Sequence, residues 1–282
     1  DPPLELRSPL GVIRARRDRA ALWQQFEALP GAPVKGLRRF ARLQERVAAA
    51  LWPTLDELRL LPPLTPAQVL RHAARLPRYL PLARLLGRTL WSVLERFGLT
   101  GFEPLVLWLD SQCQITVQCG LREAEAPFAL AALDYHHRGA VHVKGGIGEL
   151  AWGMARAVEA LGADVRFGAP VRSAHRLPDG TWSLKAGRDM FSARHVLFNA
   201  LPQDAARMAG LERDETLASM AKRVEDGWSA AMLFRTVRPP RDAEASARHL
   251  ELVRDPGRPL LEGNHVFVSI GAQGEGTVDP EL

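Results

Sequence analysis

The sequence predicts an α+β chain: a mostly helical lobe packed on a mixed sheet region that carries an antiparallel meander. Three observations carry that prediction. Apolar residues recur at helical spacing from Asp18 to about Leu133. After Tyr135, short strand-like runs alternate with turn signals. The 282 residues are 46% hydrophobic and 24% charged, enough for one large core or two modest ones.

The same composition excludes a disordered chain, and two cysteines exclude a disulfide scaffold. No uncharged stretch approaches the roughly 18 residues that span a bilayer. The chain opens on Asp1 with no charged-then-apolar leader after it, which leads to the expectation of a piece cut from something longer. Charge is uneven. Residues 1–100 hold 17 Lys and Arg against 8 Asp and Glu, within a net charge of +5. A basic half suits anionic partners such as phosphates or lipid headgroups.

In the helical half, Asp18 caps a first helix running through Glu27. A second spans about Val34 to Leu51 and stops before Pro53. Thr54-Leu55-Asp56-Glu57 reads as a capping box, and Thr65-Pro66 places Pro at a first helical position. Leu82, Leu85, Leu86, Leu90, Val93, Leu94 and Phe97 then line one face of a helix. Phe102 to Cys119 reads as a buried helix. The one strand signal in this half lies near Val12-Ile13.

Beyond Tyr135, Ala140 to Val143 reads as a short strand, Gly145-Gly146-Ile147-Gly148 as a glycine turn, and Glu149 to Leu161 as a helix ended by Gly162. Asp164 to Phe167 reads as a strand. Val171 to Leu177, Thr181 to Ala186 and Met190-Phe191 form the meander, turned at Pro178-Asp179-Gly180 and Gly187-Arg188. His195 to Asn199 reads as a buried strand, and Pro202 begins a helix. Trp228 to Thr236, His249 to Arg254 and His265 to Ile270 read as further strands.

The sharpest local motif is Gly146-x-Gly148-x-x-Ala151, between a strand and a helix, where a dinucleotide pyrophosphate could approach a helix N-terminus. Its context argues against a literal nicotinamide fingerprint. The leading strand is short and carries His142, the second offers no carboxylate at its C-terminal end, and a meander follows in place of a crossover helix. A tight turn for close packing remains the alternative.

Lys144 to Leu150, Leu161 to Arg166, Ala169-Pro170-Val171, the Pro178-Asp179-Gly180 hairpin and His195 to Pro202 together form one continuous signature. It resembles the middle of flavin-dependent phytoene desaturase and carotenoid isomerase-type enzymes, within the flavin amine oxidase superfamily. The resemblance implies FAD and an apolar, polyene or carotenoid-like substrate, changed by desaturation, saturation or isomerisation through hydride exchange with the flavin. It assigns the Val171 backbone to the adenine, the Asn199, Ala200 and Pro202 turn to the same region, and Gly145 and Gly146 to the flavin ring. It also implies three regions: 1–135 as a helical substrate and membrane-facing lobe, 136–205 as a partial FAD-binding region, and 206–282 as a return to the substrate-domain sheet. The family's opening glycine-rich loop and closing flavin segment are not found. The expectation is therefore an internal fragment that binds FAD weakly or not at all by itself.

Trp108, Leu109 and Tyr135, with Gly146, are candidates for lining a lipophilic substrate's path, with simple core as their alternative. No catalytic acid–base pair stands out. Cys113 and Cys119 read as thiols of a cytoplasmic protein rather than ligands, and no metal site is expected. His136-His137 would point to opposite faces of an extended chain. Asp110-Ser111 lacks the glycine elbow of a hydrolase. Arg71, Arg75 and Arg78, ahead of the helix from Leu82 to Phe97, suit a solvated face or a membrane surface. No nucleic-acid module is present. Flavin amine oxidase and a non-catalytic lipid- or membrane-binding module stay open as alternatives.

Overall fold

The computed structural model describes residues 4–57, 60, 65–139, 141, 143–225, 227, 229–235, 248–261 and 263–271. It divides into two compact units: Asp1–Glu149 with Pro239–Leu282, and Leu150–Arg238.

The larger unit begins with a hairpin, β1 (Leu4–Ser8) and β2 (Gly11–Ala15), in register Leu4 to Ala15 and Leu6 to Ile13. Those four side chains are buried while Glu5 and Arg14 pair on the other face, the alternation of a half-covered strand. The strand expected near Val12-Ile13 is thus the second arm of a hairpin. β6 (Arg248–Val253) lies parallel to β1, and β7 (His265–Ile270) lies antiparallel to β6, giving the order β2-β1-β6-β7.

In this unit the helices start where two of their caps predict, at Asp18 and Thr65, and depart from expectation elsewhere. Asp18 accepts from the Ala20 N–H and caps α1 (Arg19–Glu27). α2 runs Val34–Leu55, straight past the expected stop at Leu51. Pro53 falls in its last turn, where a missing N–H costs a single ladder bond, and Trp52 Nε1 is tied to the Ala131 carbonyl at 3.0 Å. Thr54 is therefore helical and not a cap; its hydroxyl meets Tyr79 Oη at 2.8 Å. Thr65 and Gln68 form the capping box of α3 (Pro66–Tyr79).

The helix expected from Leu82 to Phe97 is broken. A 3₁₀ segment, Leu80–Leu85, ends before Gly87 at φ +65°, and Thr89 caps a new helix, α4 (Leu90–Phe97). α5 (Glu103–Thr116), α6 (Ala126–Ala132) and the short α7 (Tyr135–Arg138) complete the helical part.

These helices and one face of the sheet share a core built on aromatic rings. Trp23 meets Phe26 and Phe40 at 5.9 and 5.7 Å, Phe40 meets Phe97 at 6.3 Å, and Phe26 meets Trp108 at 6.4 Å. Buried Gln44 ties the helices together: its amide donates to the Leu130 carbonyl at 3.1 Å and to Asp134 at 3.2 Å, and it accepts from Arg19, which also pairs with Asp134.

α8 (Gly148–Ala160) crosses the boundary between units in the chain. The smaller unit then holds the antiparallel sheet β3 (Val171–Arg176), β4 (Trp182–Ala186) and β5 (Asp189–Ala193), followed by α9 (Pro202–Ala209) and α10 (Glu215–Glu225). The meander and the helix at Pro202 are as the sequence reads. The strands expected at Asp164–Phe167 and His195–Asn199 are not formed, and none forms over 229–235. A strand exists by its ladder, and no neighbouring strand pairs with these segments among the described residues. Ala140 and His142 of the expected first strand, and Trp228 and Thr236 of the later one, lie outside the described residues; Val141 and Val143 carry no strand.

Candidate functional site

The glycine turn is built from two left-handed residues. Gly145 sits at φ +84° and Gly146 at φ +90°, conformations that side-chain-bearing residues adopt at a cost. The Gly146 N–H donates to the Val143 carbonyl at 2.9 Å, and the Glu149 N–H to the Gly146 carbonyl at 3.1 Å. The two glycines differ in their surroundings. A Cβ on Gly145 would stand 2.8 Å from Glu149 Cγ, so that position closes the turn. At Gly146 the same space is open, leaving bare backbone at the entrance to α8.

In the smaller unit, Val171 opens β3, a terminal strand of its sheet whose outward N–H and C=O groups the sheet leaves unpaired. With Asp164, Arg166, Leu184 and Phe191 it lines an open depression of ≈ 360 Å³. Arg166 is held in place there: its guanidinium bonds Asp164 at 2.7 Å and lies over the Phe191 ring at 4.7 Å. Ala200 and Pro202 line a second, apolar depression of ≈ 290 Å³ with Phe198, Leu211 and Met220. Asn199 is exposed beside them in the chain. Small-molecule sites occupy roughly 300–1,000 Å³. Each depression is at the bottom of that range or below it, so neither alone encloses a dinucleotide.

The larger unit brings together a cluster that sequence reasoning found only in part. Trp108 and Leu109, in α5, are core side chains, and the Tyr135 ring lies against His136 with centroids 3.6 Å apart and planes tilted by 40°. The Trp108 and His136 ring centroids lie 6.1 Å apart. His136 Nε2 donates to Gln112 Oε1 at 2.7 Å, and Gln112 Nε2 donates to both carboxyl oxygens of Glu251 at 3.3 and 3.1 Å. The chain of bonds fixes the tautomer, leaving His136 Nδ1 unprotonated and, among the described residues, without a partner.

Burial sets the charges of this cluster. Removal from water pushes Glu251 up to about 7 against the bonds from Ser111 and Gln112, and holds His136 down at about 3. Burial also raises the Tyr135 phenol, and the Glu251 carboxylate adds to that. At neutral pH the histidine and the phenol are uncharged, and Glu251 is poised between its two forms. Such a cluster can hold or pass a proton. The missed members had a signal: Asp110-Ser111-Gln112 is a polar run inside an otherwise buried helix, and Glu251 interrupts an apolar strand.

The remaining candidates are structural. His136 and His137 lie in a short helix, not an extended chain, and diverge: His137 Nδ1 donates to the Arg16 carbonyl at 2.9 Å. Asp110 accepts from the Leu121 N–H at 2.9 Å. Cys113 is buried, its thiol pushed up by desolvation, and Cys119 is half-buried and also free. No grouping of His, Cys, Asp and Glu among the described residues could hold a metal ion. No helix among them is long and apolar enough to cross a membrane.

Comparison with known proteins adds one finding. A family model described as flavin containing amine oxidoreductase matches residues 15–258. No curated protein and no solved structure matches the chain.

Proposed function

The chain belongs to the flavin-containing amine oxidoreductase family, and on that premise we propose that it is part of an FAD-dependent oxidoreductase whose substrate is apolar and polyene-like. The flavin would supply the chemistry by exchanging a hydride with a substrate carbon. In this reading the Val171 backbone edge serves the adenine, with Asn199, Ala200 and Pro202 nearby in the chain. Gly146 offers open backbone for close approach.

The observation that carries the apolar substrate is the character of the larger unit's interior. Its core is aromatic and aliphatic, and its two buried carboxyls among the described residues are engaged, Glu251 by Gln112 and Asp134 by Gln44 and Arg19. An ammonium substrate is held by an accessible anion or by aromatic faces, and neither buried carboxyl offers the anion. Amine oxidation, the other chemistry the family name covers, is the second reading.

Anaerobic mixing separates the two. The protein expressed from its complete reading frame, with flavin bound, is presented with a polyene in detergent or with primary and secondary amines. The expected result is a change in the flavin absorbance with the polyene and none with amines. Bleaching of the flavin by an amine overturns the apolar reading.

A further inference from the structure

The inner face of the larger unit's sheet changes character across its width. Leu4 and Leu6 of β1 are buried in the core. Beside them on β6 stands Glu251, opposite Leu6 in register and itself buried. On its other side Glu251 faces Phe267 of β7, and Val253 faces His265. Partners across a ladder share one side of the sheet, so Phe267 and His265 belong to the same inner face. Phe267 is nonetheless 45% exposed, so the cover that Gln112 of α5 gives Glu251 ends before β7.

That border combines aromatic rings with hydrogen-bonding groups left unused. Phe267 stacks on His249 with centroids 5.5 Å apart and planes 17° from parallel. Tyr135 lies against His136, near enough to Glu251 for the carboxylate to raise its phenol. His136 is 2% exposed, and its Nδ1 lone pair meets no donor among the described residues. It cannot trade places with Nε2–H, which is committed to Gln112 as Gln112 is to Glu251. His265 Nε2 is a second buried ring nitrogen without a partner among them.

A buried acceptor is costly to leave without a donor, so the site is completed by a group that brings one. One lone pair suffices for one O–H. An ammonium group would bring three N–H and a full charge, and Gln112 already engages both oxygens of Glu251. The fitting donor is therefore a neutral hydroxyl, and the exposed Phe267 ring offers an apolar surface for the chain that carries it.

We propose that the border between β6 and β7 binds the hydroxyl end of an apolar alcohol, whose O–H donates to His136 Nδ1 and whose chain lies along Phe267. The proposal rests on the apolar-substrate reading for the chain of the ligand and adds the hydroxyl to it.

The test is titration calorimetry of the protein from its complete reading frame, in detergent, with geranylgeraniol and with the same hydrocarbon chain lacking the hydroxyl. The alcohol should bind about 10-fold more tightly. His136→Gln keeps an N–H donor for Gln112 but removes the lone pair, so it should bind both ligands with the wild type's affinity for the hydrocarbon. In wild-type protein carrying isotope-labelled histidine, the alcohol should move the His136 Nδ1 resonance and the hydrocarbon should not, a readout that needs no variant to fold. Equal wild-type affinities, an alcohol preference retained by His136→Gln, or an Nδ1 resonance that the alcohol leaves in place each overturns the hydroxyl site while the apolar reading stands. Failure of both ligands to bind overturns the two together.

Discussion

The two units use the same local rules and reach different interiors. In the larger unit, Phe26, Phe40, Leu94, Leu105 and Leu130 are fully buried. In Leu150–Arg238 the buried residues among those described are alanines: Ala174, Ala186, Ala205 and Ala206. Its large apolar side chains lie open, with Leu161 87% and Leu197 95% exposed. Helices, caps and hairpins need only a few neighbouring residues, so they form in both units. A core needs partners from distant parts of the chain. The larger unit has them in β1 and β6, which bring residues about 245 positions apart into register, as in Leu4 with His249.

The largest test of this contrast is a matched pair of truncations. Phe40→Ala removes a ring from the aromatic core and should cost about 3–5 kcal/mol. Phe167→Ala removes one that is 64% exposed and should stay within about 0.5 kcal/mol. Denaturant unfolding of the two variants checks it. Equal losses would mean that the smaller unit has a core of its own.

A second effect belongs to the larger unit alone and depends on pH. Burial pushes the Glu251 carboxyl up to about 7 from an ordinary 4.5. The folded state therefore binds the extra proton between those values, and the group's contribution to stability falls as pH rises through that window. Glu251→Gln should gain on the wild type by about 1.4 kcal/mol per pH unit there, reaching roughly 3 kcal/mol by neutral pH. His136 has the opposite sign. Held at about 3 against 6.5, it favours the folded state increasingly as pH rises from 3 to 6.5. The two slopes oppose each other between 4.5 and 6.5, so their joint contribution is level there and Glu251→Gln exposes the histidine slope. Melting temperatures of both chains across pH 4–8 read this directly.

The smallest effect should be the same in both units. Gly98 and Gly210 each end a helix in the left-handed conformation, at φ +68° and +67°. Replacement by Ala should cost about 1–2 kcal/mol at either site. A difference well beyond that between them would show that even the caps depend on the surrounding unit.

The contrast also explains what could be read in the sequence. Asp18, Thr65 and Pro202 mark helix starts because a cap acts over three or four residues. The Pro178-Asp179-Gly180 hairpin was equally legible, since Asp179 bonds the Thr181 N–H at 2.9 Å within the turn itself. The segments at 164–167 and 195–199 carry β-branched and aromatic residues but no ladder, and composition says nothing about whether a partner is present. The polar cluster was hidden for a related reason. Tyr135 and Trp108 drew attention as aromatics, but Gln112 and Glu251 lie 139 residues apart and meet only in the folded chain. The mounting of α3 could not be read either: its sequence shows a polar and an apolar stripe, and only the anchors at Thr54, Glu57 and Leu60 turn the polar one inward.

The proposal most open to test is that FAD contacts the Gly145-Gly146 turn and, in the smaller unit, the Val171 edge and the Asn199–Pro202 turn. Hydrogen exchange on the protein from its complete reading frame, with FAD bound and after FAD removal, tests it most directly. The account predicts added protection at the Gly145-Gly146 turn, the Val171 edge and the Asn199–Pro202 turn, with little change from Val34 to Leu133. Protection confined to that helical core, or no change with FAD, would contradict it.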